Sequence, residues 1–309
     1  MDSMRQNHSV RTGYWPSSAS IERIENNHGR LESVVEGSCM RQSYYSMTGS
    51  HVTDPAGAQM QDIWDLGSAA EELYRERFQG LPNYTVLFPD VVGNKLRFQN
   101  PKTKVRGEAD LILQHKETEI KLGIEMKSYY RAWGAMEIAG YNAAKKAYGS
   151  CCPYIRKDDA IRNKVPFPKI PNLLQTALYL EEFWNDGIEL WKIIYVARDK
   201  GPYAEFDITL GDYKGKRCVI VDGVVIPWIN LEAIHTRFKQ LSEYIDANEL
   251  PPRDFTPEYD DITVLDKVDK GELPKWVATK IKRGEAHRDW QCGCCNFLSK
   301  CLNDSKTPF

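Results

Sequence analysis

Glu125-Met126-Lys127 ends a short run that begins at Ile120, and Asp110 closes Arg106-Gly107-Glu108-Ala109-Asp110 fifteen residues earlier. Two carboxylates and an ammonium in this pattern are what metal-dependent hydrolysis of a phosphodiester needs. The acids hold a divalent cation, and the lysine stands beside the attacking water and the scissile phosphate. Apolar residues at 120, 122, 124 and 126 predict a strand with one buried face. Glu125 and Lys127 then project together from the other face, about 7 Å apart along the strand. Residues 110–114 can pair with this strand through a turn near 115–118. An amphipathic hairpin whose charges merely face water has the same pattern, so other parts of the chain must decide between the two.

A second group with chemistry of its own lies near the C-terminus, where Cys292, Cys294, Cys295 and Cys301 crowd together. Thiolates at spacings of three and six read as metal ligands more readily than as disulfides in a reducing compartment. Cys292, Cys295 and Cys301 need a fourth ligand, and Cys39 is the candidate; Cys294 adjoins a ligand and cannot share its geometry. Closing a loop of about 250 residues costs roughly 5 kcal/mol, whereas a structural metal site returns on the order of 10 kcal/mol. Spacing alone leaves zinc and iron–sulfur equally open. Cys151, Cys152 and Cys218 read as packed or free thiols.

The elements that must position these groups follow from periodicity. Residues 1–30 read as a polar arm, 31–47 as a helix carrying Cys39, and 65–78 as an amphipathic helix with Leu66, Ala69, Ala70, Leu73 and Phe78 to one side. Residues 84–127 turn like a meander of strands. A helix is expected over 133–148, then a basic loop over 150–169, then a strong helix over 172–185 just after Pro171. Strands follow over 190–198 and 203–210, with a hairpin over 217–228 turning at Asp222-Gly223, and a helix over 231–247 that Pro251-Pro252 ends. Strands enclosed by helices predict an α/β core with a mixed sheet. The chain has 309 residues, 42% of them hydrophobic, enough for one large core or two smaller ones. A net charge of −2 excludes a global basic field, so any nucleic-acid surface must be local. The clusters available are Lys95/Arg97/Lys102/Lys104/Arg106, Arg156/Lys157/Arg162/Lys164/Lys169 and Lys280/Lys282/Arg283/Arg288. No stretch approaches the length of a membrane span, and the polar first thirty residues lack a signal-peptide core, which argues against export.

With these pieces placed, the chain resembles the PD-(D/E)XK nuclease superfamily, and within it the RecB-like exonucleases that carry an iron–sulfur cluster, including CRISPR-associated and phage-encoded members. Cys39, Arg41 and Tyr45 match that family's N-terminal cysteine segment, and Trp290, Cys292, Cys295 and Cys301 its C-terminal one. Asp110, Glu125 and Lys127 match the catalytic pattern, and Gln175 and Tyr179 the Q-x-x-x-Y signature. The spacing of four puts Gln175 and Tyr179 on one helix face, expected to lie away from the inward Leu173/Ala177/Leu180/Trp184 stripe. One departure is clear: where many members have a histidine four residues after a glycine, Gly67 is followed by Glu71. A carboxylate can serve Mg²⁺ or Mn²⁺ there.

The resemblance implies a restriction-endonuclease-like core with a central mixed β-sheet flanked by helices. It also implies a module, ligated by Cys39, Cys292, Cys295 and Cys301, that joins the N- and C-terminal segments around a [4Fe–4S] cluster. The domains expected are an arm over 1–30, the nuclease core over 31–250 and the iron–sulfur segment over 251–309. Asp110, Glu125, the Met126 carbonyl and Glu71 would hold Mg²⁺ or Mn²⁺, and Lys127, Gln175 and Tyr179 would serve the reaction. The substrate implied is DNA at single-stranded ends, taken 5′→3′, in recombination, repair or replication, with a recombination or replication protein as a possible partner. The setting is the cytoplasm of a bacterial or virus-infected cell. Tyr129, Tyr130 and Trp133 near Lys145, Lys146, Arg156 and Lys157 suit single-strand contact as well as they suit core packing. Two rival readings are a dormant nuclease core that only binds DNA or recruits a partner, and a zinc-ribbon nucleic-acid-binding protein.

Overall fold

The hairpin that the carboxylates require lies inside a seven-stranded mixed sheet. The computed structural model describes residues 13–27, 30–87, 96–129, 138, 166–198 and 201–304. Within these the chain forms two units, one from Gly13–Gly37 and Gln59–Lys239, the other from Ser38–Ala58 and the residues from Gln240 onward.

The larger unit begins with a 3₁₀ turn, Pro16–Ser18, and an antiparallel hairpin, β1 (Ser20–Asn27) and β2 (Arg30–Gly37). A polar arm to residue 30 and a helix from 31 were expected here. The strand wins because Val34 and Val35 favour extended backbone, and Gly37, at φ +98°, turns the chain before a shorter helix can start. A side chain at Gly37 would strike the Ala19 carbonyl. Strands β4 (Leu96–Gln99) and β5 (Arg106–Ala109) form a second small antiparallel ribbon.

The main sheet contains β3 (Tyr84–Val86), β6 (Leu111–His115), β7 (Lys121–Tyr129), β8 (Trp191–Ala197), β9 (Gly201–Tyr213), β10 (Lys216–Val221) and β11 (Val224–Asn230), in the order β11-β10-β9-β8-β7-β6-β3. Only β7 and β8 pair in parallel; the other neighbours are antiparallel. A parallel step needs a crossover, and this one carries helix α3 (Ile170–Phe183). The turn between β10 and β11 is made by Asp222 and Gly223, both at positive φ, as the Asp-Gly pair predicts.

Strand alternation sorts the two faces. Leu111, Leu113, Ile124, Met126, Ile194 and Val196 form one apolar cluster, covered by Tyr74 and Phe78 of helix α2 (Ala58–Gln79). Trp191, Ile193 and Tyr195 point to the opposite face, beneath α3. There the fully buried Trp191 indole stacks on Tyr179 at 5.2 Å and Phe183 at 6.0 Å. It can lie across β7 because residue 123 is glycine: a Cβ there would sit 2.1 Å from the indole.

Helix α2 exceeds its expected span and does not bury its expected stripe, since Leu66 and Leu73 are 58% and 46% exposed. A helical wheel gives the stripe's existence, not the width of the sheet that receives it, and only the turns around Tyr74 and Phe78 pack on this cluster. Helix α4 (Leu231–Asp246) follows β11. The helix expected over 133–148 lies outside the described residues except for Ile138, which is helical and fully buried. The basic loop up to residue 165, Tyr130, Trp133, Lys95, Cys151 and Cys152 also lie outside them.

The smaller unit contains α1 (Met40–Met47), α5 (Asp261–Asp269), α6 (Trp276–Ile281), α7 (Trp290–Gly293) and α8 (Leu298–Asn303). Asp260 caps α5, accepting the Thr263 N–H at 2.8 Å. Asp54 accepts from the Ser299 N–H and hydroxyl at 2.8 and 2.7 Å, tying the N-terminal segment of this unit to α8. Among the described residues, no helix is long and apolar enough to cross a membrane.

Candidate functional site

The register of β6 on β7 builds the carboxylate centre. Leu111 pairs with Ile124 at the end of the ladder, so Asp110 falls beside Glu125. Asp110 Oδ2 accepts the Met126 N–H at 2.9 Å, which locks the acid to the strand it must face. Glu125 is 1% exposed and Asp110 6%. Lys127, two residues along the same face, donates from Nζ to Glu125 Oε1. The second oxygen, Glu125 Oε2, is buried and has no hydrogen-bond partner among the described residues. Such an orphan is costly unless something else fills the position.

Burial, and next the charge of Asp110, push the Glu125 carboxyl up to about 8, with Lys127 pulling the other way. Burial works against the Lys127 ammonium, but Glu125, Asp110 and Glu71 together hold its pKa above the ordinary lysine value. Acid and base therefore share one desolvated site in which Lys127 stays charged.

Tyr179 and Gln175 reach this centre from α3. Tyr179 is 2% exposed, so it is buried among the residues it was expected to avoid, because α3 is covered on nearly every side. Its hydroxyl donates to the Glu108 carbonyl at 2.8 Å and accepts from Gln175 Nε2 at 2.9 Å. Burial and then the Glu125 charge raise its pKa well above the usual tyrosine value. Trp184, expected to pack inward, lies in a 3₁₀ turn beneath the Arg217 guanidinium at 4.1 Å.

Glu71 sits half-buried on α2, the helix covering the opposite sheet face, and its charge is felt at both Glu125 and Lys127. Met126 turns its side chain inward, 2% exposed. Among the described residues, no set of three or more His, Cys, Asp or Glu side chains converges as a ready-made metal site. The donors present at the centre are Asp110 and Glu125, and the orphaned Glu125 Oε2 is where a divalent cation fits.

Sequence reasoning passed over Tyr195 and Asn172. Tyr195 is the residue opposite Lys127 in the parallel β7/β8 pair, and its buried hydroxyl accepts from Asn172 Nδ2 at 2.7 Å and the Lys169 N–H at 3.0 Å. Only the strand order reveals this neighbour; no spacing in the chain does.

The cysteine centre lies within the smaller unit. Cys39 at the start of α1, Cys292 in α7, Cys295 in the loop after it and Cys301 in α8 line one cavity with Arg41, Tyr45 and Arg253. Cys294 is exposed, and Cys218 is buried in the larger unit. Burial, then the neighbouring Cys39, pushes Cys292 up to about 12; burial first, with Cys39 and Cys301 contributing, pushes Cys295 up to about 11. Cys39 is raised chiefly by burial. Cys301 Sγ accepts from Arg253 Nε at 3.3 Å and more distantly from Arg41 at 3.8 Å, so guanidinium groups face one thiol of the four. Arg41 is also held by the Pro251 carbonyl at 2.8 Å, and Asp254 accepts the Met40 N–H at 2.6 Å. The four thiols line one cavity without converging as a ready-made metal site; four cysteines are the ligand type of iron–sulfur clusters and equally of structural zinc.

No protein-family model matches the chain, and no curated protein matches it. Among solved structures, the crystal structure of SSO0001 aligns at 14% identity over 70% of this chain and 74% of that one, with a TM-score of 0.33, too slight a likeness to assign a fold.

Proposed function

We propose that this protein is a metal-dependent DNA exonuclease with a restriction-endonuclease-like core of the PD-(D/E)XK kind, acting on single-stranded ends in recombination, repair or replication. The observation that carries the reading is the meeting of Asp110, Glu125 and Lys127 at one buried site, with Glu125 Oε2 left unpartnered.

Asp110 and Glu125 would hold the cation, with the Met126 carbonyl and Glu71 as the further oxygen donors. When bound, Mg²⁺ or Mn²⁺ supplies Lewis acidity that eases deprotonation of water and offsets charge on the transferring phosphate. Lys127, which the surrounding acids hold as an ammonium in the metal-free site, would orient or deprotonate the water or stabilise the developing charge. Its place beside Glu125 puts that charge where negative charge develops on the phosphate. Gln175 and Tyr179 hold the Glu108 carbonyl and so fix β5 immediately before Asp110. The resemblance favours attack in the 5′→3′ direction. Cys39, Cys292, Cys295 and Cys301 would hold a [4Fe–4S] cluster with a structural role, joining segments distant in the chain.

The test mixes purified protein and Mn²⁺ with single strands labelled separately at each end, and with closed circles. Ends are degraded, circles survive, and Lys127→Ala or Glu125→Ala slows the reaction by about 10²-fold or more. Cleavage at the wild-type rate in either variant contradicts the assignment, and binding without cleavage under any divalent metal leaves a DNA-binding module. A brown preparation absorbing near about 400 nm accompanies the cluster; a colourless one containing zinc contradicts it.

A further inference from the structure

The ribbon formed by β4 and β5 has two unlike faces. Cross-strand pairing sets Arg97 opposite Glu108 and Gln99 opposite Arg106, so these four side chains stand together on one face. Phe98 and Gly107 alternate with them, and the Phe98 ring packs against Tyr179 and Phe183 of α3 at 5.8 and 5.4 Å. Trp15 flanks the polar face. It is fixed there because the adjoining backbone runs along β5, with Tyr14 N–H donating to the Lys104 carbonyl and Arg106 N–H to the Tyr14 carbonyl, each at 2.7 Å. Pro16 fills the space that a side chain at residue 107 would need. The Arg106 guanidinium lies 5.3 Å from the Trp15 ring centroid.

The result is an open groove of about 490 Å³ lined by Trp15, Arg97, Phe98, Gln99, Arg106 and Glu108. That volume falls in the roughly 300–1,000 Å³ range of built ligand sites. Two arginines face one carboxylate, and Glu108 holds Arg97 at 2.9 Å while Arg97 remains 60% exposed. Strand β5 leaves the groove and runs directly into Asp110, its last turn held by the Tyr179–Glu108 bond.

We propose that this groove is the track along which single-stranded DNA approaches the carboxylate centre. A base stacks on the Trp15 indole, and flanking phosphates pair with Arg97 and Arg106. An aromatic face beside guanidinium groups is the chemistry that binds unpaired strands irrespective of sequence. A duplex hides its base faces and has nothing to offer Trp15. The proposal rests on the nuclease reading and names where its substrate lies.

The experiment measures fluorescence anisotropy of labelled oligo(dT) with the full-length protein in EDTA, across a salt series, for wild type, Trp15→Ala, Arg97→Glu and Gln99→Lys. Trp15→Ala weakens binding by about tenfold. Arg97→Glu weakens it and flattens the dependence on log salt by about 0.7 or more. Gln99→Lys tightens binding and steepens that dependence, an outcome that misfolding cannot produce. Unchanged affinity and salt slope in all three variants overturns the proposal, as does equal loss of duplex binding. Wild-type cleavage of the same oligonucleotide with Mn²⁺ is scored separately. Loss of binding in the variants with no wild-type cleavage refutes the nuclease reading and leaves the track standing; cleavage with no effect of the variants does the reverse.

Discussion

The carboxylate centre and the cysteine centre are held together by opposite means. Asp110, Glu125 and Lys127 lie in or directly beside two paired strands, and Tyr179 and Gln175 lie on a fourteen-residue helix packed over them. Their positions follow from strand register and a stacked aromatic core. The four cysteines come from the start of an eight-residue helix, a four-residue helix, a loop and a six-residue helix. Helices that short do not sustain themselves in water. Side-chain bonds such as Asp54 to Ser299, Tyr45 to Asp304 and Arg253 to Cys301 hold them instead. The contrast teaches that the acids are organised by the sheet itself, whereas the thiols rest on short helices tied by side-chain bonds.

The harshest way to break that contrast is to deny the cysteines the metal proposed for them. A structural site of this kind contributes on the order of 10 kcal/mol, so chelation, or Cys292→Ser with Cys301→Ser, should abolish amide protection across 290–303. Amides of β6, β7 and β8 should keep theirs. Hydrogen exchange reads both at once, and protection that persists around Cys292 after metal removal would show that the thiols need no ligand.

Next in size is Lys127→Ala, which removes one fixed charge and should slow cleavage by about 10²–10³-fold. The visible absorption of the cysteine centre should not change. A variant that loses both would deny the independence of the two sites.

The metal-free protein should also show a pH signature confined to the acids. The native Glu125 carboxyl is pushed to about 8 against an ordinary value of 4.5. Between those values the native state keeps a proton that the unfolded chain has released, so stability falls as pH rises through this window. Thermal melts should show the fall in wild type and a flatter profile in Glu125→Gln. Bound Mn²⁺ must displace the same proton, so its affinity should rise toward about pH 8. A wild-type profile already flat would mean that Glu125 is ionised throughout.

Tyr179→Phe is the gentlest probe. It keeps the ring stacked on Trp191 and removes the bond to the Glu108 carbonyl, at a cost of about 1 kcal/mol. Calorimetry should register a small drop in Tm with the cysteine centre untouched.

Much of this was legible in the chain. Period-two alternation located β7, the Asp-Gly pair located the β10/β11 turn, and cysteine spacing separated Cys292, Cys295 and Cys301 from Cys294. The failures share a cause. Which side of α2 meets the sheet, and that Tyr179 turns inward, depend on neighbours remote in sequence that no local period encodes. The strands β1 and β2 were missed because a polar composition masked pairing whose register only the partner supplies. Tyr195 was invisible for the same reason, since it meets Lys127 only through the parallel pairing of β7 with β8.

Gly123 carries no functional group, yet it sets the clearance between β7 and the indole that supports α3. A single added methyl would have to shove Trp191 aside, and Tyr179 rides on that ring. A change far milder than deleting an acid would then be transmitted to the carboxylate centre. This vacant position acts as a spacer for the machinery two residues downstream, and it deserves to be guarded as closely as Glu125 in any redesign of the strand.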